Sequence, residues 1–324
     1  MTLQRREFIA GLGSAAVWPV VARAQQAGRL RRIGVLVNGM EDDSEMQARL
    51  AAFRQGLGQF GWSEGRNVRI DYRFSGGSPE RFPQFAKELI ALNPDIIFAS
   101  STPAVAALHR ETRTIPIVFV GVSDPIGSGV VASLARPGGN TTDGIIGKWL
   151  GMLKEISPRL VRAAIVANPK STPFDYFLRS AKAIGPLLGI EVVPTPVENT
   201  RDMERSIELF ARVSNGGLVL APDATLIDQR DLITGLAARY RLPAVYAFPV
   251  FVRAVGLMSY STDVIDQNRQ AATYIDRILH GTNPSDLPVQ APTKYQTTLN
   301  LKTAKALGLT IPETLLATAD EVIQ

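Results

Sequence analysis

Arg32-Ile33-Gly34-Val35-Leu36-Val37-Asn38 and Arg162-Ala163-Ala164-Ile165-Val166-Ala167-Asn168 open the same plan twice. Asp95-Ile96-Ile97-Phe98-Ala99-Ser100 is echoed by Gly217-Leu218-Val219-Leu220-Ala221. Ile115-Pro116-Ile117-Val118-Phe119-Val120 is echoed by Leu242-Pro243-Ala244-Val245-Tyr246-Ala247. The order is the same both times, with a helical stretch between successive apolar runs. Continuous apolar runs alternating with helical patterns predict parallel strands covered on both faces. Two such units do not fit one sheet of ordinary size. They predict an α/β protein of two similar, doubly wound parallel-sheet lobes with a ligand cleft between them.

Within the first unit, Glu45 to Phe60 is expected to be helical, with Leu50, Phe53, Leu57 and Phe60 on one stripe and Gly61 ending it. Pro79 to Leu92 is a second helix, stopped by Asn93-Pro94. The second unit repeats this with helices at Phe174 to Leu188, Arg201 to Val213 and Leu226 to Tyr240. After it, Gly256 to Ser259 and Tyr295 to Leu299 read as strands, and Asp263 to Leu279 and Leu301 to Leu307 as helices. The chain is expected to cross between lobes three times, near Gly147, Phe248 and Val289. Lobe one is then 30–147 plus 248–288, and lobe two 148–247 plus 289–324.

The first 24 residues read as an export signal. Arg5-Arg6-Glu7-Phe8 is a twin-arginine start, an apolar run follows to Val21, and Ala22-Arg23-Ala24 is an A-x-A cleavage site. That run is shorter than the about 20 residues needed to span a bilayer. The mature chain is expected to begin at Gln25, in the periplasm, without membrane insertion. With no cysteine in the sequence there is no lipobox, disulfide or thiolate metal site. The formal charge is +5, of which Arg5, Arg6, Arg23 and Glu7 carry +2. The remaining +3 forms no basic run, which argues against nucleic acid as a partner.

The residues Gly121 to Gly144 read GVSDPIGSGVVASLARPGGNTTDG, Tyr260 to Asp263 read YSTD, and the chain closes on PTKYQTTLNLKTAKALGLTIPETLLATADEVI followed by one glutamine. These runs closely resemble the ABC-transporter solute-binding family related to tryptophan- and tyrosine-binding proteins. The resemblance covers essentially the whole mature chain. It implies a type I periplasmic-binding fold, with ligand trapped between two lobes on a three-segment hinge. Two departures stand out. Thr142-Asp143-Gly144 carries one residue more than the family's usual turn, and Ser261 replaces the family's common glycine. Both lie in segments expected near the hinge or cleft.

Ligands of parallel α/β sheets sit beyond the carboxyl ends of strands, near helix N-termini. In lobe one that rule selects Asn38, then Ser100, Ser101 and Thr102, then Ser123 and Asp124. Hydroxyls and free N–H groups at a helix start suit a carboxylate, although the same residues also serve as ordinary caps. In lobe two the rule selects Asn168, Ser171 and Asp223, the last placed to meet a ligand ammonium. Phe248 and Tyr260 could stack on an aromatic ligand or pack the hinge.

Other chemistries find little support. Gly127-x-Gly129-x-x-Ala132 follows a fourth strand and lacks the acidic residue of a dinucleotide site. His109 and His280, the only histidines, have no neighbour at metal-ligand spacing. The nucleophile pattern G-x-S-x-G is absent. The sequence therefore predicts a non-enzymatic, monomeric periplasmic receptor without a cofactor. It would deliver an amino acid or related carboxylate, aromatic included, to an ABC permease in the inner membrane. The alternative is a ligand sensor that presents its closed form to a membrane sensor kinase.

Overall fold

The structure is a computed structural model that describes residues 30–123 and 142–324. The twin-arginine segment, Asp124 and the Gly127–Ala132 pattern lie outside the described residues. Two sheets carry the fold. The first contains β1 (Arg31–Val37), β2 (Val68–Phe74), β3 (Ile96–Ser100) and β4 (Ile117–Val120), all parallel, in the order β2-β1-β3-β4. The second contains β5 (Arg162–Ala167), β6 (Glu191–Pro196), β7 (Gly216–Leu220) and β8 (Ala244–Tyr246) in the equivalent order β6-β5-β7-β8. The repeat in the sequence is thus a repeat of topology.

The continuous apolar runs are explained by burial on two faces. One face of the first sheet packs Val35, Val37 and Phe98 against Leu50, Phe53 and Leu57 of helix Ser44–Gln59. The other packs Leu36, Ile97 and Ala99 against Phe82 and Leu89 of helix Phe82–Ala91. The Phe53 and Phe98 rings stack at 4.5 Å, both fully buried. Full burial of a side chain this size stabilises by roughly 1.5–3 kcal/mol. Phe60, expected on the same stripe, instead caps the helix and is exposed.

The second sheet extends beyond the repeat. It adds β9 (Met258–Thr262), β10 (Tyr295–Asn300) and β11 (Glu321–Ile323) beyond β8. This moves two expected crossings. Gly147 lies inside helix Thr142–Ile156, whose Ile146, Trp149 and Leu153 are buried in the core of the second lobe, so the chain does not cross there. The chain after Phe248 does not leave lobe two. Helix Pro249–Arg253 covers β9 and β10, and β9 pairs with β8 before the chain crosses at Asp263. Strand partners hydrogen-bond through backbone, which explains why no side-chain pattern showed this.

From Asp263 the chain returns to lobe one as helix Val264–Leu279, which packs on helix Ser44–Gln59. Gly56 permits that packing: a Cβ there would meet the Arg269 carbonyl and lie 2.9 Å from Ala272 Cβ. The second and third crossings run side by side, with Asp263 N–H donating to the Lys294 carbonyl at 3.0 Å. Lys294 Nζ also reaches Asp266 at 3.0 Å, which ties this crossing to the start of the returning helix. No helix among the described residues is long and apolar enough to cross a membrane.

Candidate functional site

Residues at or after the ends of β1, β4, β7 and β8 line the two cavities that both lobes share. In lobe one, β3 ends at Ser100 and Ser101 follows with φ +100°, an unusual conformation for a residue other than glycine. Helix Thr102–Glu111 starts there with no side-chain cap. Ser101 accepts Val105 N–H through its carbonyl, while its hydroxyl oxygen is buried without a partner. Helix geometry leaves the Thr102 and Ala104 N–H groups without intrahelical acceptors, and Pro103 between them has none to offer. Thr102 Oγ1 accepts Ser123 N–H at 3.0 Å, which ties the ends of β3 and β4 together. Asn38, at the end of β1, accepts Ser75 Oγ–H at 3.0 Å.

Lobe two is arranged differently. Asp223 is 3% exposed and caps the short helix Ala224–Asp228, accepting Leu226 N–H at 3.3 Å on Oδ1. Its Oδ2 accepts both Asn168 N–H and Ser171 Oγ–H at 2.8 Å. Asn168 in turn donates to Thr225 Oγ1 and accepts from Lys170 N–H. Asp223 was expected to meet a ligand ammonium, and it already accepts three hydrogen bonds from its own lobe. Asn168, Ser171 and Asp223 satisfy one another, because a buried carboxylate needs several donors and the lobe supplies them itself.

A cavity of about 760 Å³ runs along β4 and its following residues to Ser123, the returning helix from Val264 and the 284–292 crossing, and reaches Trp149, Phe177, Phe248 and Ser261 of lobe two. Ser123 and Ile145, which also lines it, flank the stretch outside the described residues. The volume falls within the range of small-molecule sites, about 300–1,000 Å³. The Trp149 ring lies 6.4 Å from Phe177, and its Nε1–H donates to the Tyr260 carbonyl at 2.7 Å. Phe248 lies under the Arg49 guanidinium of lobe one at 5.4 Å, so one ring contact spans the cleft. Tyr260 itself stacks on Tyr295 at 5.5 Å, a hinge-packing role.

Trp149, Tyr176, Phe177 and Ser261 were not among the sequence candidates. Trp149 had a visible signal: Ile145, Ile146, Trp149, Leu150, Leu153 and Ile156 recur at helical spacing. The expected crossing at Gly147 obscured it.

A second cavity, about 450 Å³, separates Asn38, Asp43, Glu45 and Arg49 from Asp228 and Arg230. Here the lobes touch. A Cβ on Gly77 would overlap the Asp228 carboxylate, and Gly77 also has φ +74°. Burial of the Asp228 carboxyl is the largest influence on its pKa. Arg230 opposes it, and Asp43 and Asp223 add to it, so the value is pushed up to about 6. His109, which lines the larger cavity, is held below the ordinary histidine value by burial and by Arg113. The described residues contain no group of three or more potential acidic, histidine or cysteine metal ligands.

Two lobes of repeated topology and a mixed apolar and polar cavity lined from both define a two-lobed ligand-binding protein of the type I periplasmic-binding class. The chain belongs to the ABC transporter substrate binding protein family, whose model matches residues 32–323. This is a family of binding proteins, not of enzymes. The tyrosine-binding protein of Clostridioides difficile (strain R20291) is 24% identical over 262 residues, covering 79% of this chain and 75% of that protein. A conserved domain protein from Vibrio cholerae superposes with a TM-score of 0.83 at 26% identity, over 91% of this chain and 100% of the other. The ABC domain from Streptococcus pneumonia in complex with L-Trp superposes with a TM-score of 0.82 at 23% identity, with the same coverage.

Proposed function

We propose that this protein captures an aromatic carboxylate, amino acids included, outside the cytoplasmic membrane and hands it to the permease of an ABC importer. The observation that carries this reading is the side-chain-uncapped start of helix Thr102–Glu111, joined through Thr102 Oγ1 to Ser123, which lines a cavity shared with Phe248. The helix start supplies N–H donors and partial positive charge for a carboxylate. Phe248, half-buried where it lines the cavity, supplies an apolar ring face for an aromatic body. Ser101, Thr102, Ser123 and Phe248 are the proposed ligand contacts. Asp223 is left out because its oxygens already serve lobe two, so the reading does not require an α-ammonium group. The relatives named for tyrosine binding and for an L-Trp complex support an aromatic ligand.

A ligand touching both lobes favours their closed arrangement and stabilises the native state by mass action. Thermal-shift measurements with L-tryptophan, L-tyrosine, L-phenylalanine, benzoate and 4-hydroxybenzoate test the ligand class. At a ligand concentration of about 100 times Kd the stabilisation is about 2.7 kcal/mol, which moves the melting temperature by several degrees. No shift with any of the five rejects the aromatic-carboxylate reading. Export by the twin-arginine route is proposed on Arg5-Arg6 and Ala22-Arg23-Ala24. Replacing both arginines with lysine should retain the precursor in the cytoplasm, and unchanged export would reject that route.

A further inference from the structure

The buried hydroxyls of lobe two divide into two groups. Ser171 and Thr172 donate to Asp223 and the Pro222 carbonyl, and Ser180 and Thr234 donate to backbone carbonyls within their helices. Ser259 and Ser261, two residues apart on one face of β9, have hydroxyl oxygens that are buried and meet no partner, as does the buried hydroxyl of Tyr246, the residue paired with Ser259. A buried polar group without a hydrogen bond is costly, and proteins rarely keep one without a use for it. Position separates the two serines. Ser259 pairs in register with Tyr246, inside the sheet, and is fully buried. Ser261 pairs with Gln296 near the carboxyl end of β9, just before the hinge, and lines the interlobe cavity with Phe248 and Thr262. It is 3% exposed, so bulk water does not readily satisfy its hydroxyl.

We propose that Ser261 is a specificity-determining residue of the ligand site, its hydroxyl pairing with a polar group on the ligand's aromatic body. A serine hydroxyl donates and accepts, so it serves a phenol or a ring N–H equally. A phenyl ring in the same place leaves the hydroxyl unpaired in a closed cleft. The cleft thereby selects a hydroxylated or N–H-bearing ring over its plain hydrocarbon counterpart, as sites built around one polar contact do. This rests on the proposed reading of the cleft as an aromatic-carboxylate site.

The test uses Ser261→Ala and, as a control, Ser259→Ala, with two probe pairs: L-tyrosine against L-phenylalanine, and 4-hydroxybenzoate against benzoate. Without ligand, Ser261→Ala is expected to melt about 2–4 °C above the parent, because it removes an unpaired buried hydroxyl. Calorimetry is expected to show about 5- to 10-fold weaker binding of the hydroxylated member of a pair, with its partner unchanged within about twofold. Ser259→Ala should leave both members of each pair unaffected. A lower melting temperature for unliganded Ser261→Ala would overturn the proposal, since the hydroxyl would then be structurally satisfied. Equal weakening of both members of a pair would overturn it as well. If none of the four probes binds the parent, the aromatic-carboxylate reading is what fails. The unliganded melting temperature then decides on Ser261, a rise supporting its functional cost and a fall refuting it.

Discussion

Ser171 Oγ–H donates to Asp223 Oδ2 at 2.8 Å, and this bond joins the loop after β5 to the loop after β7. Both residues are buried, and Asn168 N–H shares the same oxygen. The carboxylate therefore acts as the knot of lobe two's cleft surface.

Asp223→Ala should destabilise the protein by about 2–4 kcal/mol, combining a lost helix cap with buried donors left unpaired. Asp223→Asn should cost less, since its carbonyl oxygen still accepts. Urea unfolding followed by circular dichroism measures both. Unchanged stability together with lost ligand binding would return Asp223 to the role of ligand partner.

Across the cleft, Arg253 of lobe two reaches Glu45 of lobe one at 2.7 Å and holds Glu321 at 2.8 Å. Arg253 is 48% exposed, so its coupling to Glu45 is expected at under about 1 kcal/mol and should weaken with salt. A double-mutant cycle with Glu45→Gln and Arg253→Gln isolates that coupling from the Glu45–Arg49 and Arg253–Glu321 pairs. Ligand affinity should fall by up to about fivefold in Glu45→Gln, with scattering showing a larger radius of gyration in low salt. A zero coupling energy at low salt would exclude a role in closure.

Asp228 gives the contact between the lobes a pH dependence. Its pKa is raised from the ordinary 3.8 to about 6, so between those values the folded protein holds a proton that the unfolded chain releases. Stability from this group is full below pH 3.8 and is lost as pH rises through about 6. Asp228→Asn should remove this component. The variant should melt about 1–3 °C above the parent at pH 7–8, with the gap closing toward pH 4. A gap that widens on acidification would contradict the sign. The same charge faces Asp43 of lobe one, so mild acid should also favour the closed lobes.

Much of the fold was legible because parallel sheets buried on both faces demand continuous apolar runs. Ile33 to Val37 and Ala163 to Ala167 have no solvent-facing positions to fill, and the sequence shows none. Helix ends were legible where a local device sets them, as at Gly308 with φ +71°. The site was less legible. Ser101 and Thr102 were found because strand ends and helix starts are local features. Trp149 was missed, and Ser261 was placed only near the hinge or cleft, because their position at the cavity depends on which sheet their element joins.

The sequence alone determined the duplicated α/β plan, the order of its strands and the polar residues that close each one, since these follow from periodicity and local turn chemistry. Tertiary structure alone decided that β9 stays with lobe two, so that the chain returns to lobe one only after it. It also decided that Asp223 turns inward to Asn168 and Ser171 while Ser261 keeps an unpaired hydroxyl. The reason is physical. Hydrogen bonds between distant segments carry no signature in the spacing of either, so an Asp at a strand end reads the same whether its donors come from a ligand or from its own lobe.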